Sequence, residues 1–167
     1  MDGGIAVTRA DAGEEFAALL HAHRNIVFKV AAAHAWQADD RADLAQEIAA
    51  QLWSAWPQYD PSRPFTTWMY RVALNTAMSH ARRRHLERRH FEPLDDSDVR
   101  APCDDDDALL LAQVMAGLDA PSRALLLLHL EARSSEEIAE ILGLSVTAVT
   151  TRLNRLRQRL RDRYATP

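Results

Sequence analysis

The sequence predicts an all-α protein made of two small helical domains joined by an acidic flexible linker, the C-terminal domain being a helix-turn-helix. Only five of the 167 residues are glycine, whereas alanine, leucine, glutamate and arginine are abundant, and no run of alternating β-branched residues occurs. Such a composition favours helices over strands. With 47% hydrophobic residues, the chain is long enough to bury two small helical cores.

The first half of the chain begins with a predicted helix that runs to about Ala33. Asp11, with Glu14 three residues later, has the pattern of a capping box at its start. An apolar stripe at helical spacing follows and consists of Phe16, Leu19, Leu20, Ile26, Val27 and Val30. The pattern predicts one helix whose apolar face packs into the first core.

Two more helices complete the first half. Asp40 can cap a helix over about 41–56, which Pro57 stops. After a turn-rich loop, Thr66 or Thr67 can cap a long third helix that runs through about Arg89. The predicted buried faces are Leu44, Ile48 and Leu52 in the second helix, and Trp68, Val72, Ala73 and Ala77 in the third.

Apolar periodicity disappears between residues 92 and 107, where charge, proline and serine dominate. This segment is the predicted linker, and it separates a first domain over residues 1–91 from a second over residues 108–167. The single cysteine, Cys103, lies in it. One cysteine excludes an intramolecular disulfide and a cysteine-cluster zinc site, and the sequence assigns Cys103 no role.

The second domain begins with two predicted helices. The first is short, ends at Gly117 and carries the apolar residues Leu109, Leu110, Val114 and Met115. Asp119 can cap the next, with Pro121 at its first position. Its predicted core residues are Leu125, Leu126, Leu128 and Leu130.

A helix-turn-helix is predicted over residues 134–157. Ser134 and Glu137 form a second capping box for a short helix, Gly143 suits a left-handed turn, and Ser145 can cap the last helix. Ala139 is small where the two helices must cross closely, and Leu144, Val149 and Leu153 can fill the wedge between them. The outer face of the last helix carries Thr147, Ala148, Thr150, Thr151, Arg152 and Arg155. Threonine and alanine can contact base edges while arginine holds phosphates, so this face can read duplex DNA.

The formal net charge of −4 hides a segregation of charge. Residues 65–90 contain six arginines against one glutamate, and residues 145–167 contain six arginines against one aspartate. The remainder therefore sums to −14, much of it in aspartates of the predicted linker. Two basic helices on either side of an acidic tether indicate a nucleic-acid partner.

Residues 60–75 and the arginine run after them combine aromatic and cationic groups. Unstacked bases need aromatic faces, hydrogen-bond donors for their edges, and cations for the strand. The candidate contacts to opened DNA are Trp68, Tyr70, Arg71, Asn75, Arg82, Arg83 and Arg84. For Trp68 a core position is favoured over direct base contact, whereas Tyr70 and Asn75 are expected to be exposed.

At these residues the chain resembles the extracytoplasmic-function sigma factors, the small two-domain specificity subunits of bacterial RNA polymerase. Residues 39–47, Trp53 and the stretch 60–75 with the arginine run resemble the family's promoter-melting domain. Residues 114–160 resemble its distal promoter-reading domain. The resemblance implies a protein that binds the core polymerase and opens promoter DNA at a chosen site, with an anti-sigma factor as an expected partner.

The resemblance also implies roles for single positions. Family members dock the polymerase on the second helix, and the matching residues here are Asp43, Gln46, Glu47 and Trp53. From the residues alone, a solvated helix face remains an alternative. The loop before the third helix, with the residues near Trp68, Tyr70, Arg71 and Asn75, matches those that capture the opened minus-ten element. The helix from Ser145 matches the reader of the minus-thirty-five element. The acidic linker matches the segment that in this family threads through the polymerase, and from the residues alone a linker disordered in free solution is the equal alternative.

No catalytic residue, metal or cofactor is expected, and no small-molecule substrate. His80, His85 and His90 recur every five residues, which rotates them around a helix instead of converging them on a metal. No apolar run long enough for a membrane span and no signal-peptide pattern occurs, so a cytoplasmic protein without membrane insertion is expected. The alternative function is that of a stand-alone helix-turn-helix transcriptional regulator, which would bind duplex operators without polymerase. The linker leaves open whether the free protein is compact or extended.

Overall fold

The computed structural model of the chain describes residues 9–90 and 106–164, and these residues form helices and short connections with no β-strand. The helices of these two ranges are α1 (Arg9–Ala22), α2 (Arg24–His34), α3 (Ala38–Ala55), α4 (Phe65–His90), α5 (Asp106–Ala116), α6 (Ala120–Leu130), α7 (Ser135–Leu142) and α8 (Val146–Tyr164). Helices α1–α4 make up the N-terminal bundle and α5–α8 the C-terminal bundle. The prediction of an all-α protein with a C-terminal helix-turn-helix is confirmed.

The start of the N-terminal bundle differs from the prediction. The segment predicted as one helix is two, because the chain turns at His23, whose ring packs 5.5 Å from the Phe65 ring. Asp11 lies in the first turn of α1, so the predicted cap at that residue is wrong. The predicted cap at Asp40 is also wrong, because α3 begins earlier, with Gln37 at its N-cap.

Helix α4 is the centre of the N-terminal bundle and packs against both α2 and α3. It begins at Phe65, which places its N-cap at Pro64, so the predicted caps at Thr66 and Thr67 are wrong by two or three residues. The predicted apolar face of α3 is confirmed, since its three residues Leu44, Ile48 and Leu52 are completely buried. In α4, Ala73 and Ala77 are buried as predicted, Trp68 and Val72 are half-buried, and Met69, Tyr70 and Leu74 are also buried.

The C-terminal bundle follows its predicted start and stop signals closely. Asp119, Ser134 and Ser145 each cap a helix by accepting a hydrogen bond from the backbone N–H three residues later, at 2.9, 3.1 and 3.1 Å. The Glu137 carboxylate accepts in return from the backbone N–H of Ser134 at 2.9 Å, which completes the predicted capping box. Gly143 ends α7 with φ 66°, as predicted.

The predicted core of this bundle is right in part. Leu125, Leu126 and Leu128 are buried, but Leu130 is 53% exposed and Leu127 is buried in its place. The predicted apolar residues Leu109 and Leu110 of α5 are exposed as well, and Met115 is the residue of α5 that is buried. Pro121 is the second residue of α6 and not the first.

Two residues of the C-terminal bundle have left-handed backbone conformations, Gly143 with φ 66° and Ala132 with φ 55°. A Cβ at Gly143 would meet no atom within 4 Å, so Gly143→Ala costs only the backbone strain, about 1 kcal/mol. Ala132→Gly should do the reverse and raise the free energy of unfolding by a few tenths to about 1 kcal/mol. Urea unfolding of both variants measures this. A loss of stability in Ala132→Gly, as glycine causes at a right-handed position, would mean that the turn is not left-handed in solution.

The two bundles pack against each other. Helix α2 contacts α6, and α4 contacts both α6 and α7. The buried apolar side chains of the two bundles belong to one cluster. The described parts of the chain are therefore compact, which the sequence left open.

The predicted linker, with Cys103 and most of its aspartates, lies outside the described residues. Its last two residues, Asp106 and Asp107, are described and lie in the first turn of α5, so the helix overlaps the predicted linker by two residues. In the two described ranges, no helix combines the length and apolar character needed to cross a membrane.

Candidate functional site

The loop before α4 is shaped by a cluster of aromatic rings. Trp56 stacks on Tyr59 with ring centroids 5.2 Å apart, and the Trp68 ring lies 5.1 Å from Tyr59 and 5.4 Å from Phe65. The Tyr59 hydroxyl donates to the backbone oxygen of Arg63 at 2.9 Å, which ties the loop to the cluster. Trp68 is half-buried among these rings, in keeping with the core position favoured for it from the sequence.

One exposed stripe of α4 unites three of the residues predicted to contact opened DNA. Arg71, Asn75 and Arg82 are all exposed. At 100° per residue they fall within about 40° of one another around the helix axis, over roughly 16 Å of its length. This α4 stripe (Arg71, Asn75 and Arg82) presents two guanidinium groups and one amide, a set that suits phosphates and base edges.

Tyr70 does not belong to that stripe, and the expectation that it is exposed is wrong. Only 1% of it is accessible, because the turn after α6 covers it. Its hydroxyl donates to Glu131 Oε2 at 3.2 Å, and the Arg133 guanidinium lies 5.1 Å from its ring. Burial, with the neighbouring Glu131 carboxylate, raises the pKa of Tyr70 to about 12. In this arrangement Tyr70 cannot stack on a base.

Two of the three predicted phosphate-binding arginines are engaged within the bundle. Arg83 pairs with Glu47 and Arg84 pairs with Asp40, both across to α3. His80 Nδ1 lies 3.2 Å from the same Glu47. Burial raises the pKa of Glu47, but the hydrogen bonds with Arg83 and His80 outweigh it, and the net shift is downward. Arg83 and Arg84 therefore neutralise acidic residues of α3, and Arg82 is the member of the run on the α4 stripe.

The four residues matched to polymerase binding lie on α3, and three of them are on the face opposite its buried residues. Asp43 and Gln46 are exposed, and Trp53 is 55% exposed although its ring packs 5.2 Å from that of Phe16. Glu47 is half-buried and engaged with α4, which the sequence did not indicate. The α3 face (Asp43, Gln46 and Trp53) thus offers an aromatic ring flanked by polar groups.

The outer face of α8 displays most of the residues predicted to read duplex DNA. Thr147, Thr150, Thr151, Arg152 and Arg155 are exposed and Ala148 is half-buried. The Thr150 hydroxyl donates within its own helix, with oxygens of Val146 and Thr147 at 3.2 and 3.0 Å. Its oxygen is left to accept a hydrogen bond, so Thr150 would recognise a donor such as an amino group of a base.

Sequence reasoning missed two further residues of this face. Asn154 and Gln158 are exposed and follow Thr147 and Thr151 along one stripe of α8. Asparagine is well suited to adenine edges. Their helical spacing, on the side of α8 opposite its buried residues Val149, Leu153 and Leu156, would have identified both. Gln158 already donates to Asp162 at 2.7 Å, so Asn154 is the stronger candidate for a base contact.

A cleft of about 720 Å³ runs along one flank of α8. Its lining includes Arg152, Arg155 and Arg159 of α8, Asp119 at the start of α6 and Met78 of α4. The hydrogen bond from Ser122 and the nearby arginines lower the pKa of Asp119, which favours its ionised form. The cleft therefore holds three guanidinium groups and one carboxylate. Among the residues described, no group of His, Cys, Asp and Glu is arranged to hold a metal ion.

Comparison with known families identifies both bundles. Residues 19–87 match the family model described as Sigma-70 region 2, and residues 108–160 match that of Sigma-70, region 4. The ECF RNA polymerase sigma factor SigE of Mycolicibacterium smegmatis is 31% identical over 158 residues, which cover 88% of this chain and 60% of the relative. The RNA polymerase sigma factor CnrH of Cupriavidus metallidurans is 32% identical over 133 residues, which cover 71% and 70% of the two chains.

Solved structures agree with this assignment. CnrH in complex with the cytosolic domain of CnrY superposes with a TM-score of 0.65 at 27% identity, covering 89% of this chain and 86% of CnrH. The sigma factor RpoE from Bartonella quintana, in complex with the anti-sigma factor NepR, has the same fold, with a TM-score of 0.70 at 21% identity and coverage of 91% and 95%. The chain belongs to the sigma-70 family of RNA polymerase sigma factors, in its extracytoplasmic-function group. Because this chain matches both regions, the alternative of a stand-alone regulator is not favoured.

Proposed function

We propose that this chain binds core RNA polymerase through the α3 face, captures the opened minus-ten element with the α4 stripe and reads the minus-thirty-five element with α8. The observation that carries the proposal is the presence of two separate nucleic-acid faces on one chain. The α4 stripe has the cations and the amide that suit an unstacked strand. Helix α8 is capped by Ser145 and has a polar outer face, which suits a helix that contacts duplex DNA.

The contacts within the structure refine the minus-ten site. Arg71, Asn75 and Arg82 form its accessible part, while Trp68 shapes the loop from within the aromatic cluster. Arg83 and Arg84 act indirectly, by fixing α4 against α3 through their pairs with Glu47 and Asp40. On α8, Arg152 and Arg155 hold phosphates, and Thr147, Thr151 and Asn154 face the bases.

The same proposal extends to location and partners. A subunit that acts on the polymerase and on promoter DNA works in the cytoplasm and carries no catalytic residue of its own. An anti-sigma protein is the expected regulator, since CnrH was solved with the cytosolic domain of CnrY and RpoE with the anti-sigma factor NepR.

Run-off transcription with purified bacterial core polymerase tests the proposal. Templates come from the region upstream of the gene for this protein, and each is transcribed with and without the protein. We expect a transcript with a fixed start that appears only when the protein is present. No transcript, together with tight duplex binding by the protein alone, would overturn the proposal in favour of a stand-alone regulator.

A further inference from the structure

The cleft beside α8 is lined by the arginines of the C-terminal bundle that lack a partner among the described residues. Arg152, Arg155 and Arg159 belong to its lining, and none of them makes an ion pair or a hydrogen bond within residues 9–90 and 106–164. Every other arginine between residues 106 and 164 has a partner. These partners are the Met115 backbone oxygen for Arg123, Glu137 for Arg133, His129 for Arg157, Gln158 for Arg161 and the Tyr164 ring for Arg163.

The three cleft arginines share one flank of α8. At 100° per residue they fall within about 60° of one another around the helix axis, over roughly 10 Å of its length. The stripe that faces the bases, with Thr147 and Asn154, lies roughly 100° further around the axis. Guanidinium groups this close repel one another, so an anion that contacts two or three of them is bound favourably.

The cleft carries an excess of positive charge. Asp119 is the one carboxylate in its described lining, and one oxygen of Asp119 already accepts the capping hydrogen bond from Ser122 at 2.9 Å. The three guanidinium groups therefore leave two positive charges unbalanced. Arginine binds phosphate oxygens through paired N–H donors, so phosphate suits such a cluster. Two unbalanced charges, spread along the helix, favour a chain of phosphates over a single one.

The cleft also has an apolar part, formed by Pro121, Leu125, Leu142 and Leu144. Leu125 is only 4% exposed, and both Leu142 and Leu144 are half-buried. The volume of about 720 Å³ lies within the range of roughly 300–1,000 Å³ for small-molecule sites, which combine apolar walls with a few polar groups. A phosphate chain alone would leave these apolar side chains in water, whereas a nucleobase can cover them with a face of its ring.

We propose that this cleft binds a nucleotide that carries two or more phosphates, with the phosphates on Arg152, Arg155 and Arg159 and the base against the apolar residues. The nucleotide is an effector and not a substrate. It occupies Arg152 and Arg155, the two side chains assigned above to promoter phosphates. If the function proposed above holds, the nucleotide and the minus-thirty-five element therefore compete for α8, and a high nucleotide concentration lowers promoter binding.

Isothermal titration calorimetry of the full chain tests nucleotide binding directly. ATP and GTP are the probes, without divalent cations so that the phosphates are not chelated, and tripolyphosphate and adenosine are the comparisons. We expect at least one nucleotide to bind with a dissociation constant of about 100 μM or lower, tripolyphosphate to bind roughly fivefold more weakly, and adenosine to give no signal. No binding of either nucleotide would overturn the proposal and leave the three arginines to duplex phosphates. Tripolyphosphate as tight as the nucleotides would overturn the assignment of the apolar residues to a base.

Arg159 distinguishes this site from the promoter contacts. It lines the cleft but is assigned no contact with DNA, and Arg159→Ala should weaken nucleotide binding about tenfold. Arg163→Ala removes the same charge from the same helix outside the cleft and should leave the affinity unchanged. Both side chains are exposed, so neither change should affect folding. Equal affinities for the two variants would mean that α8 attracts anions only through its overall charge, and would overturn the proposal.

Promoter binding by the holoenzyme tests the competition. In filter binding, a saturating concentration of the tighter nucleotide should raise the apparent dissociation constant of the wild-type holoenzyme roughly fivefold or more, and that of the Arg159→Ala holoenzyme less than about twofold. The comparison cancels any effect of the nucleotide on the polymerase itself. An equal effect on both holoenzymes, or none on either, would overturn the competition. Failure of the wild-type holoenzyme to bind any promoter would instead count against the proposed function, while calorimetry would still report the nucleotide site.

Discussion

Replacing Trp53 by alanine is expected to weaken association with core polymerase about 30-fold, which corresponds to roughly 2 kcal/mol. Exposed aromatic residues are common hot spots in interfaces, because they bury a large area at a small entropic cost. Trp53 is 55% exposed and lies on the same face of α3 as the exposed Asp43 and Gln46. Titration of fluorescently labelled protein with core polymerase, followed by anisotropy, gives the dissociation constant.

The chain offers a closely matched control for this experiment. Phe28 is 57% exposed, is also aromatic, and lies on α2 outside the α3 face. Phe28→Ala should therefore leave the dissociation constant unchanged. The double variant Asp43→Ala, Gln46→Ala should weaken binding in the same direction as Trp53→Ala. Equal affinities for the Trp53 and Phe28 variants would remove the α3 face from the proposal.

Features set by nearby residues could be predicted from the sequence in the C-terminal bundle, whereas the equally local cap predictions at Asp11, Asp40 and Thr66 or Thr67 were wrong. The caps at Asp119, Ser134 and Ser145 each depend on a side chain and a backbone N–H three residues away, and Gly143 depends only on its own φ. The spacing of Leu44 and its neighbours in α3 likewise fixed the buried face. Each of these signals involves residues within one or two helical turns of each other, so it can be recognised in the local sequence.

Features that depend on distant contacts could not be predicted in this way. Nothing near Tyr70 announces that Glu131 and Arg133 cover it, because the three residues meet only when the bundles pack. The break at His23 has no glycine or proline to mark it, and its ring contact is with Phe65, far along the chain. The exposure of a side chain could not be predicted where a contact with a distant residue buries it. Among the minus-ten candidates, Tyr70 is such a residue.

The ion pairs of the arginine run could not be predicted from the sequence for the same reason. The arginine run predicted a cluster of three phosphate ligands, yet Arg83 and Arg84 pair with acids of α3. Their partners lie more than 30 residues earlier in the sequence, where Glu47 was itself assigned to polymerase binding. A net charge calculated along the sequence therefore overestimates the cationic groups that α4 offers to DNA.

The double variant Arg152→Ala, Arg155→Ala is expected to reduce the salt dependence of promoter binding by the holoenzyme. Each lost phosphate contact lowers the slope of log Kobs against log salt by about 0.9, so removing two should lower it by about 2. Affinity near physiological salt should fall at least tenfold. Both side chains are exposed on α8, so stability should change by no more than about 0.5 kcal/mol. Filter binding at a series of salt concentrations measures the slope.

The control removes the same charge from the other end of the same helix. Arg161 and Arg163 are exposed in the last turn of α8, away from the cleft that Arg152 and Arg155 share with α6. Replacing both with alanine should leave the slope nearly unchanged, because the effect depends on contact with phosphates and not on net charge. If the two double variants lower the slope equally, α8 attracts DNA only through its overall charge. If neither lowers it, the C-terminal bundle does not hold the promoter through this helix, and the assignment of α8 to the minus-thirty-five element is wrong.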